Sequence, residues 1–314
     1  MTSTKKLVSY IFPIYNESGN IELLYKTIIK LLNTNNDYTY ELIFINDGSK
    51  DDSLSKLREI TNNDKRSTII DFARNYGHQI AVTAGLDYSN GDAVIIMDSD
   101  MQDPPAVSFN LIKKWEEGYE VVYAQRRSRK DTFFKKFTAD MFYRTLQKLS
   151  DIDIPRNTGD FRLIDRVVVE EIKKFKEHDR FLRGMISFIG FKQIAVQFDR
   201  DERHAGKTGY PLKKMIKFAA DGITGFSNAP LKLIRQVGLF IAALSFLGAL
   251  YALVVKVAFP AYAVEGWAFI VMSVLFTGGI QLIMLSVLGS YIGRIYTEVK
   301  DRPLYGVRSI YEQN

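Results

Sequence analysis

The sequence predicts a doubly wound, mostly parallel α/β sheet followed by two membrane-spanning helices. Three observations support this prediction. Short apolar β-rich runs alternate with helical patterns over residues 7–124, polar clusters stand where the runs end, and two uncharged runs occupy the C-terminal part. Strands that alternate with helices at this spacing are typical of βαβ units, in which neighbouring strands lie parallel.

The elements of the first domain follow one another as strand, helix, strand, helix. We predict strands at Leu7–Ile14, Tyr40–Ile45, Thr68–Phe72, Ala93–Met97 and Val121–Ala124. We predict helices at Asn20–Leu32, Ser53–Ile60, Gln79–Tyr88 and Ala106–Glu117, with Ser18 as a candidate cap of the first helix. Ligands of such sheets bind beyond the carboxyl ends of the strands, so we expect the site in the loops that follow them.

The composition limits the classes of function. The 314 residues include 42 Lys and Arg against 36 Asp and Glu, a net charge of +6. This excess suits phosphate-bearing substrates or an anionic membrane surface. The chain has no cysteine, which excludes disulfides, thiol catalysis and cysteine-based zinc sites. Its first residues lack the apolar core of a signal peptide, so we expect the first domain to stay in the cytoplasm.

Two uncharged apolar runs near the C-terminus are long enough to cross a bilayer. As a helix Val237–Val255 would span about 29 Å, close to one hydrocarbon core, and Gly266–Gly293 would cross with tilt. Basic residues lie outside this pair of runs, at Lys213, Lys214, Lys217, Lys232, Arg235, Arg294, Lys300, Arg302 and Arg308. The positive-inside rule therefore places both termini in the cytoplasm. The alternative is a pair of buried core helices.

An amphipathic pattern over residues 210–226 precedes the first run. We expect a helix that lies in the membrane interface, or one that packs on the soluble domain, and the two are compatible when one face is shared. The predicted divisions are a cytoplasmic catalytic domain over 1–209, an interfacial and juxtamembrane segment over 210–235, a two-span hairpin over 236–294 and a cytoplasmic tail over 295–314.

Asp98 and Asp100 follow the apolar run Ala93–Met97. Two carboxylates at this spacing can share one hard cation, Mg²⁺ or Mn²⁺, and leave open positions for diphosphate oxygens. The chain has neither GxGxxG after its first strand nor GxxxxGK[ST], so it lacks the usual loops that bind phosphate. An Asp-x-Asp pair is common by chance, but its position at the end of a strand makes it a candidate metal site.

Four motifs resemble, in the same order, those of family 2 glycosyltransferases. They are Pro13–Glu17, Asn46–Asp51, Phe72–His78 and Asp98–Pro105. The resemblance is strongest to the polyprenyl-phosphate branch, which includes dolichol-phosphate mannose synthases and bactoprenol glucosyltransferases, and it covers almost the whole chain. It implies a GT-A fold and an inverting, metal-dependent transfer of a sugar to undecaprenyl phosphate at the cytoplasmic face of the plasma membrane. A UDP-linked donor is favoured, with glucose or N-acetylglucosamine as the sugar.

The resemblance also implies roles for individual residues on the donor side. Pro13, Tyr15 and Glu17 would line the nucleobase and ribose, Asp47 would contact the base, and Asp98, Asp100 and Gln102 would surround the metal and diphosphate. An aromatic face at Tyr15 and acceptor oxygens at Glu17 and Asp47 suit these roles. The plainer alternatives are a core position for Tyr15 and an ordinary turn at Asp47.

Residues Asn157–Leu163 resemble the acceptor-side motif of the family, which would place Asp160 nearest the lipid phosphate as the catalytic residue. The second pKa of a phosphate monoester is about 6, so the attacking oxygen is already anionic near neutral pH. Asp160 therefore need not be a strong base, and it could orient the acceptor or take a residual proton. The alternative is that Asp160 pairs with Arg162 or Arg156 and shapes the loop.

A dense basic cluster, Arg126–Lys130, follows the strand Val121–Ala124. The resemblance implies that Arg126 and Arg129 bind the lipid phosphate, a ligand that suits the planar fork of arginine. An anionic lipid surface is the second interpretation, and nucleic acid is disfavoured.

The segment Arg203–Tyr210 resembles the family loop that lies over the donor diphosphate. Arg203 would contact the diphosphate, while Gly206, Lys207 and Thr208 would belong to a lid. Gly209 stands where the family has a lysine, and whether Lys207 replaces that lysine is open.

Two other functions compete with this interpretation. A processive polysaccharide synthase would carry a Gln-x-x-Arg-Trp motif, and neither Trp115 nor Trp267 stands in that context. A non-catalytic membrane adaptor that binds lipid phosphates would not require the three aspartates Asp98, Asp100 and Asp160. The identity of the sugar, its pathway and the self-association of the chain do not follow from the sequence.

Overall fold

The computed structural model describes residues 5–127, 155, 158–199, 229–258 and 266–313. Its strands are β1 Leu7–Ile14, β2 Thr39–Asn46, β3 Ser67–Phe72, β4 Ala93–Ile96, β5 Val121–Arg126, β6 Thr158–Asp165, β7 Gln193–Phe198 and β8 Val307–Glu312. Its helices are α1 Ile21–Leu32, α2 Ser53–Asn63, α3 His78–Tyr88, α4 Val107–Glu116, α5 Arg166–Lys173, α6 Leu182–Ile189, α7 Ala229–Ala258 and α8 Trp267–Val299.

The strands form one sheet in the order β7-β5-β6-β4-β1-β2-β3-β8. The four strands β1 to β4 pair in parallel, as the alternation of strands and helices predicts. Strand β6 runs antiparallel to both β4 and β5, while β7 is parallel to β5. The predicted doubly wound α/β fold is therefore confirmed, with a mixed sheet that has a parallel centre.

Helices cover both faces of this sheet. On one face α1, α2 and α4 contribute buried residues such as Leu24, Leu57 and Leu111 to an apolar core. On the other face α3, α5 and α6 form a second core, to which Val82 and Met185 belong. Because both faces of the sheet are buried, the free space for a ligand lies at the ends of the strands.

The cap predicted at Ser18 is wrong. Helix α1 begins at Ile21 with Asn20 at the N-cap position, and no side chain caps it. The backbone N–H of Ser18 instead donates to Asp51 Oδ2 at 3.1 Å, so Ser18 belongs to a loop that is held against the loop after β2.

Helices α7 and α8 are long and apolar enough to cross a membrane. The two candidate spans are Leu231–Gly248 and Phe276–Val299, and neither contains a buried residue. Large apolar side chains such as Phe240, Phe246 and Leu282 are about 70% exposed. The alternative of two buried core helices is therefore wrong. The amphipathic pattern at 210–226 lies outside the described residues.

The C-terminal tail returns to the sheet. Helix α8 continues to Val299, and Val307–Glu312 forms β8, which pairs antiparallel with the edge strand β3. The predicted division places this strand outside the catalytic domain, although it hydrogen-bonds to that domain's sheet. The segment that follows the second apolar helix thus covers the β3 edge of the sheet, which would otherwise expose unpaired backbone groups.

Candidate functional site

The polar clusters predicted as a site lie at one edge of the sheet. Tyr15–Glu17 follows β1, Asp47–Ser49 follows β2, residues 73–77 follow β3 and Asp98–Asp100 follows β4. These four strands are parallel and adjacent, so their carboxyl ends and the loops after them are neighbours. The fold therefore brings together motifs that are up to about 80 residues apart in sequence.

The loops after β1 and β2 are joined by hydrogen bonds. Asn16 N–H donates to Ser49 Oγ at 3.0 Å, and Asn16 Oδ1 accepts from Lys50 N–H at 2.8 Å. Glu17 N–H donates to Ser53 Oγ at 3.0 Å. Asn16 has a positive φ of 54°, a conformation that asparagine tolerates better than most residues. These bonds fix the two loops against each other on the side where a nucleotide is predicted.

The predicted donor-side residues Pro13, Tyr15 and Glu17 differ in accessibility. Tyr15 is 43% exposed, so the alternative of a core tyrosine is wrong. Pro13 lies within β1, and its carbonyl accepts from Ser99 Oγ at 3.3 Å. Glu17 Oε2 accepts from Asn20 Nδ2 at 2.6 Å. Tyr15 is thus the member of this group that presents an open ring to a ligand.

Asp47 organises the loop after β3. Its Oδ1 accepts from Tyr76 N–H at 2.6 Å, and its Oδ2 accepts from Gly77 N–H at 3.0 Å and Asn75 Nδ2 at 2.9 Å. Burial raises the pKa of Asp47, and the backbone donors of Tyr76 and Gly77 oppose that rise. The carboxylate therefore holds residues 75–77 in place, and its contact with a base stays a prediction.

Gly48 lets this loop pack directly on the loop after β2. Its φ is +65°, and a Cβ at this position would lie 2.5 Å from the carbonyl carbon of Arg74. A side chain here would be both strained and in collision with backbone atoms. The Asp47–Gly48 pair is therefore more than an ordinary turn.

Asp98 and Asp100 stand at the centre of the strand ends. Asp98 Oδ1 lies 3.7 Å from Nε2 of His78, the first residue of α3. Burial raises the pKa of Asp98; His78 opposes that rise, whereas the carboxylates of Asp160 and Asp100 add to it. Asp100 is buried, and its Oδ1 accepts from Gln102 N–H at 3.1 Å.

The donor set at this position fits a hard divalent cation. Burial is the main cause of the raised pKa of Asp98, and the neighbouring carboxylates add to it, so a cation between Asp98 and Asp100 would stabilise their charged forms. No group of three acidic, His or Cys side chains that could hold a metal ion occurs within the described ranges. Two carboxylates fill only part of the coordination shell of such an ion, and the metal site at Asp98 and Asp100 stays a prediction.

Asp160 lies at the centre of a network of charged and polar side chains. Its Oδ2 is bonded by His78 Nε2 at 2.9 Å and by Gln79 Nε2 at 3.2 Å. Its Oδ1 accepts from Arg183 Nε at 2.7 Å, while Arg183 Nη1 donates to the carbonyl of Thr158 at 2.9 Å. Three elements, α3, β6 and α6, therefore converge on this carboxylate.

The network fixes the charge of its members. Burial alone would raise the pKa of Asp160, but Arg183 and His78 hold it well below its ordinary value. Burial lowers the pKa of His78, while its hydrogen bond to Asp160 and the charge of Asp98 outweigh that effect and raise the pKa to about 9. Near neutral pH the arrangement is an anion between two cations, with Asp98 beside one of them.

The alternative predicted for Asp160 named Arg162 or Arg156 as its partner. Arg162 donates to the carbonyl of Gly159 at 3.0 Å, and the guanidinium bonded to Asp160 is that of Arg183. Arg156 lies outside the described residues. A cavity of about 330 Å³ opens beside the carboxylate, lined by Tyr76, Gly77, His78, Gln79, Ile80, Asp160 and Arg183.

Arg126 ends β5 next to the Asp160 strand. Its Nη2 lies 3.7 Å from Oδ1 of Asp103. A Cβ added to Gly159 would lie 3.3 Å from the same Arg126 nitrogen. Arg127 points elsewhere, since its exposed guanidinium pairs with Asp199 at 3.4 Å. Arg126 is therefore the arginine of the basic cluster that the described structure places beside the acceptor-side motif.

The remaining predicted site residues lie outside the described residues. They are Arg129, Arg203, Gly206, Lys207 and Thr208. Three residues of the Asp160 network were not predicted as site residues: His78, Gln79 and Arg183. His78 closes one of the four motifs, a signal that could have singled it out. Arg183 belongs to none of them.

The chain is similar in sequence to known glycosyltransferases. The sequence model described as glycosyl transferase family 2 matches residues 9–173. An uncharacterized glycosyltransferase of Bacillus subtilis, YkcC, is 51% identical over 304 residues, covering 96% of this chain and 94% of the relative. The SfII prophage-derived bactoprenol glucosyl transferase of Shigella flexneri is 40% identical over 308 residues, covering 98% and 99%. A solved mannosyltransferase from Pyrobaculum calidifontis, in complex with GDP-Man and Mn²⁺, matches with TM-score 0.47 at 17% identity, covering 83% and 84%.

Proposed function

We propose that this chain, which belongs to glycosyl transferase family 2, transfers a hexose from a nucleotide diphosphate sugar to a polyprenyl phosphate. The observation that carries the proposal is that Asp98 and Asp160 both lie close to His78, which lines a cavity together with Asp160. It joins the end of a donor-side strand to the acceptor-side motif. Relatives named bactoprenol glucosyl transferase, about 40% identical over nearly the whole chain, support the lipid acceptor.

The donor is proposed to be a UDP-sugar, with glucose or N-acetylglucosamine favoured. Tyr15 would offer its exposed ring to the nucleoside, and the joined loops after β1 and β2 would form the rest of that pocket. Asp98, Asp100 and Gln102 would face the diphosphate. A bound Mg²⁺ or Mn²⁺ at the two carboxylates would offset the charge that grows on the leaving diphosphate. Arg203 and the lid of Gly206, Lys207 and Thr208 are proposed to cover it.

The reaction is proposed to be a single inverting displacement. An anionic oxygen of the lipid phosphate attacks the anomeric carbon, and the bond from that carbon to the diphosphate oxygen breaks. The electron pair of that bond leaves with the nucleoside diphosphate. The attacking phosphate has a second pKa of about 6, so near neutral pH it has little or no proton to give up.

Asp160 is proposed to orient the acceptor side. Its depressed pKa makes it a weak base, because a carboxylate stabilised by Arg183 and His78 gains little by taking a proton. Its geometry instead fixes Arg183 and His78 at the cavity. Arg126, with Arg129 nearby in the chain, would bind the lipid phosphate from the side of Gly159.

The chain is proposed to be a multi-pass protein of the plasma membrane. Helices α7 and α8 would cross the bilayer, with the amphipathic segment 210–226 in its interface. Strands β1 and β8 belong to the same sheet, which supports placing the two ends of the chain on one side of the membrane. The basic residues that flank the spans favour the cytoplasm for that side.

The test is a screen of radiolabelled nucleotide sugars against the purified full-length protein with undecaprenyl phosphate, followed by extraction of the lipid. We expect label in the lipid phase with one UDP-sugar, and none with Asp160→Asn assayed in parallel. Label that forms only with GDP-sugars would overturn the choice of donor. Absence of labelled lipid with every donor would overturn the function.

A further inference from the structure

The chain that leaves the second apolar helix contacts both elements that supply cations to Asp160. This exit segment (residues 294–308) includes the end of α8 and the beginning of β8. One group of its contacts lies on the loop before α3, where His78 begins the helix. The other lies on the turn before α6, which carries Arg183.

The contacts on the α3 side are made by the last part of the exit segment. Gly306 O accepts from Ala73 N–H at 3.0 Å, and Arg308 Nη2 donates to Ala73 O at 2.9 Å. The ring of Tyr305 stacks on Phe72 with centroids 5.1 Å apart. The Tyr305 hydroxyl donates to Asp87 Oδ2 on α3 at 2.8 Å. Helix α3 is thus held near its far end, and the loop before it is held at its first residue.

Gly306 also lies directly against Tyr76. A Cβ at Gly306 would be 3.0 Å from the Tyr76 hydroxyl. Tyr76 lies two residues before His78, lines the cavity and donates its N–H to Asp47. A shift of Gly306 would therefore press on the residue that links the donor-side carboxylate to the start of α3.

The contacts on the α6 side come from the end of α8. Glu298 accepts from His178 N–H at 2.8 Å through Oε1, and its Oε2 is 2.9 Å from His178 Nδ1. Arg294 Nη1 lies 2.7 Å from Asp179 Oδ2. Arg183 follows within five residues, in the first turn of α6.

We propose that the exit segment is a positioning element that sets the places of His78 and Arg183 around Asp160. The membrane-spanning hairpin is then part of the catalytic apparatus as well as an anchor. Tyr305, Gly306 and Glu298 are its positioning residues, acting through α3 and α6 rather than on substrate. The effect on transfer rests on the proposed function, whereas the effect on the loop does not.

The test uses a matched pair of substitutions in the full-length protein. Tyr305→Phe and Tyr311→Phe each remove one hydroxyl from the same C-terminal stretch. The Tyr305 hydroxyl bonds to Asp87 of α3, whereas the Tyr311 hydroxyl accepts from Arg58 of α2, away from the site. Hydrogen exchange of peptides over residues 73–80 reports the loop, and kcat and UDP affinity report the site.

We expect Tyr305→Phe to speed exchange over 73–80 at least about tenfold, the factor that corresponds to one lost hydrogen bond to a carboxylate. It should lower kcat about three- to tenfold with UDP affinity changed less than about twofold, because small displacements of catalytic groups act on rate. Tyr311→Phe should change neither. Gly306→Ala should reproduce the effects of Tyr305→Phe, and Asp87→Asn, which keeps an acceptor for the hydroxyl, should preserve most of the rate.

Equal exchange over 73–80 in the two tyrosine variants would overturn the proposal. So would a kcat of Tyr305→Phe equal to that of the wild type despite faster exchange. If the wild type transfers no sugar to lipid, the proposed function fails, and the exchange comparison alone then decides whether the exit segment holds the loop.

Discussion

The two halves of the site are held by different kinds of bonds. On the donor side, the loops after β1 and β2 are joined by hydrogen bonds from backbone N–H groups, such as those of Asn16 to Ser49 and Ser18 to Asp51. On the acceptor side, Asp160 is held by Arg183 and His78, both charged. Loops held by backbone donors form a rigid pocket, whereas a set of opposed charges can exchange a partner for an anionic ligand.

This difference indicates that the two halves have different functions, nucleoside binding on the donor side and phosphate binding on the acceptor side. A nucleoside needs a fixed shape, which the donor side supplies. An incoming phosphate needs cations that are already oriented, and Arg183 and His78 beside the cavity supply them. Substitutions should therefore separate donor binding from transfer, according to the half that they disturb.

The largest effect is expected at the boundary between the halves, from Asp100→Ala. Loss of this buried carboxylate should lower transfer at least about 10³-fold, because metal-centred charge stabilisation of a leaving diphosphate is worth several kcal/mol. The measurement is product formation with Mg²⁺ or Mn²⁺, beside a thermal melt. Asp52→Ala, an exposed carboxylate on a neighbouring loop, is the control. Normal turnover by a folded Asp100→Ala protein would contradict the assignment of Asp100 as a metal ligand.

A smaller effect, confined to the acceptor half, is expected from Arg126→Ala. Loss of one charge-assisted phosphate contact costs about 1.5–3 kcal/mol, which corresponds to about a 10- to 150-fold rise in KM for undecaprenyl phosphate. UDP affinity measured by calorimetry should stay nearly unchanged.

Arg127→Ala is the matched control for Arg126, because that neighbouring arginine is exposed and pairs with Asp199. Arg126 lies beside the buried Asp103, so Arg126→Ala also removes a positive charge near that carboxylate. Arg126→Lys keeps this charge and separates the loss of the phosphate contact from a loss of folding. A fall in UDP affinity with an unchanged lipid KM would move Arg126 to the donor half.

On the donor side, Gly48→Ala is expected to act on stability first. The substitution adds backbone strain at a φ of +65° and a collision with the chain at Arg74, a loss of about 2–4 kcal/mol. Gly190→Ala has a similar φ of +82° with open space around it, so it should cost only about 1–2 kcal/mol. Melting temperatures of the two variants give the comparison. An equal loss in both would mean that the loops do not pack as described.

The smallest effect is the pH dependence of stability that Asp160 contributes. Its pKa in the folded protein is depressed, so its stabilising contribution is complete above the unfolded value of about 3.9 and is lost as the pH falls through the folded pKa. The melting temperature of the wild type should therefore fall more steeply than that of Asp160→Asn below about pH 4. Because the hydrogen bond to Asp160 helps raise the pKa of His78 to about 9, the wild type should also lose stability relative to Asp160→Asn as the pH rises above about 6.5. Equal slopes of the two variants below pH 4 would contradict the assignment of a depressed pKa to Asp160.

The donor half could be predicted from sequence more fully than the acceptor half. Strands β1 to β4 are continuous apolar runs that end in polar clusters, so their positions and the site edge follow from the pattern alone. Strand β6 was not predicted, because its sequence has Asp160 and the buried Arg162 between apolar residues and is not a continuous apolar run. Arg183 lies 105 residues after His78, and only the packing of α3 and α6 on one face brings them to the same carboxylate. Strand β8 pairs with β3 across more than 230 residues, a contact that no local pattern indicates.

The most direct test of this account is a pair of titrations on one preparation of Asp160→Asn. Calorimetry measures UDP binding in the presence of metal, and a lipid-extraction assay measures transfer to undecaprenyl phosphate. The account predicts UDP affinity within about twofold of the wild type and transfer reduced by at least about 10²-fold, the scale of a lost electrostatic contribution to catalysis. A parallel fall in UDP affinity and transfer would contradict the division between a donor half and an acceptor half.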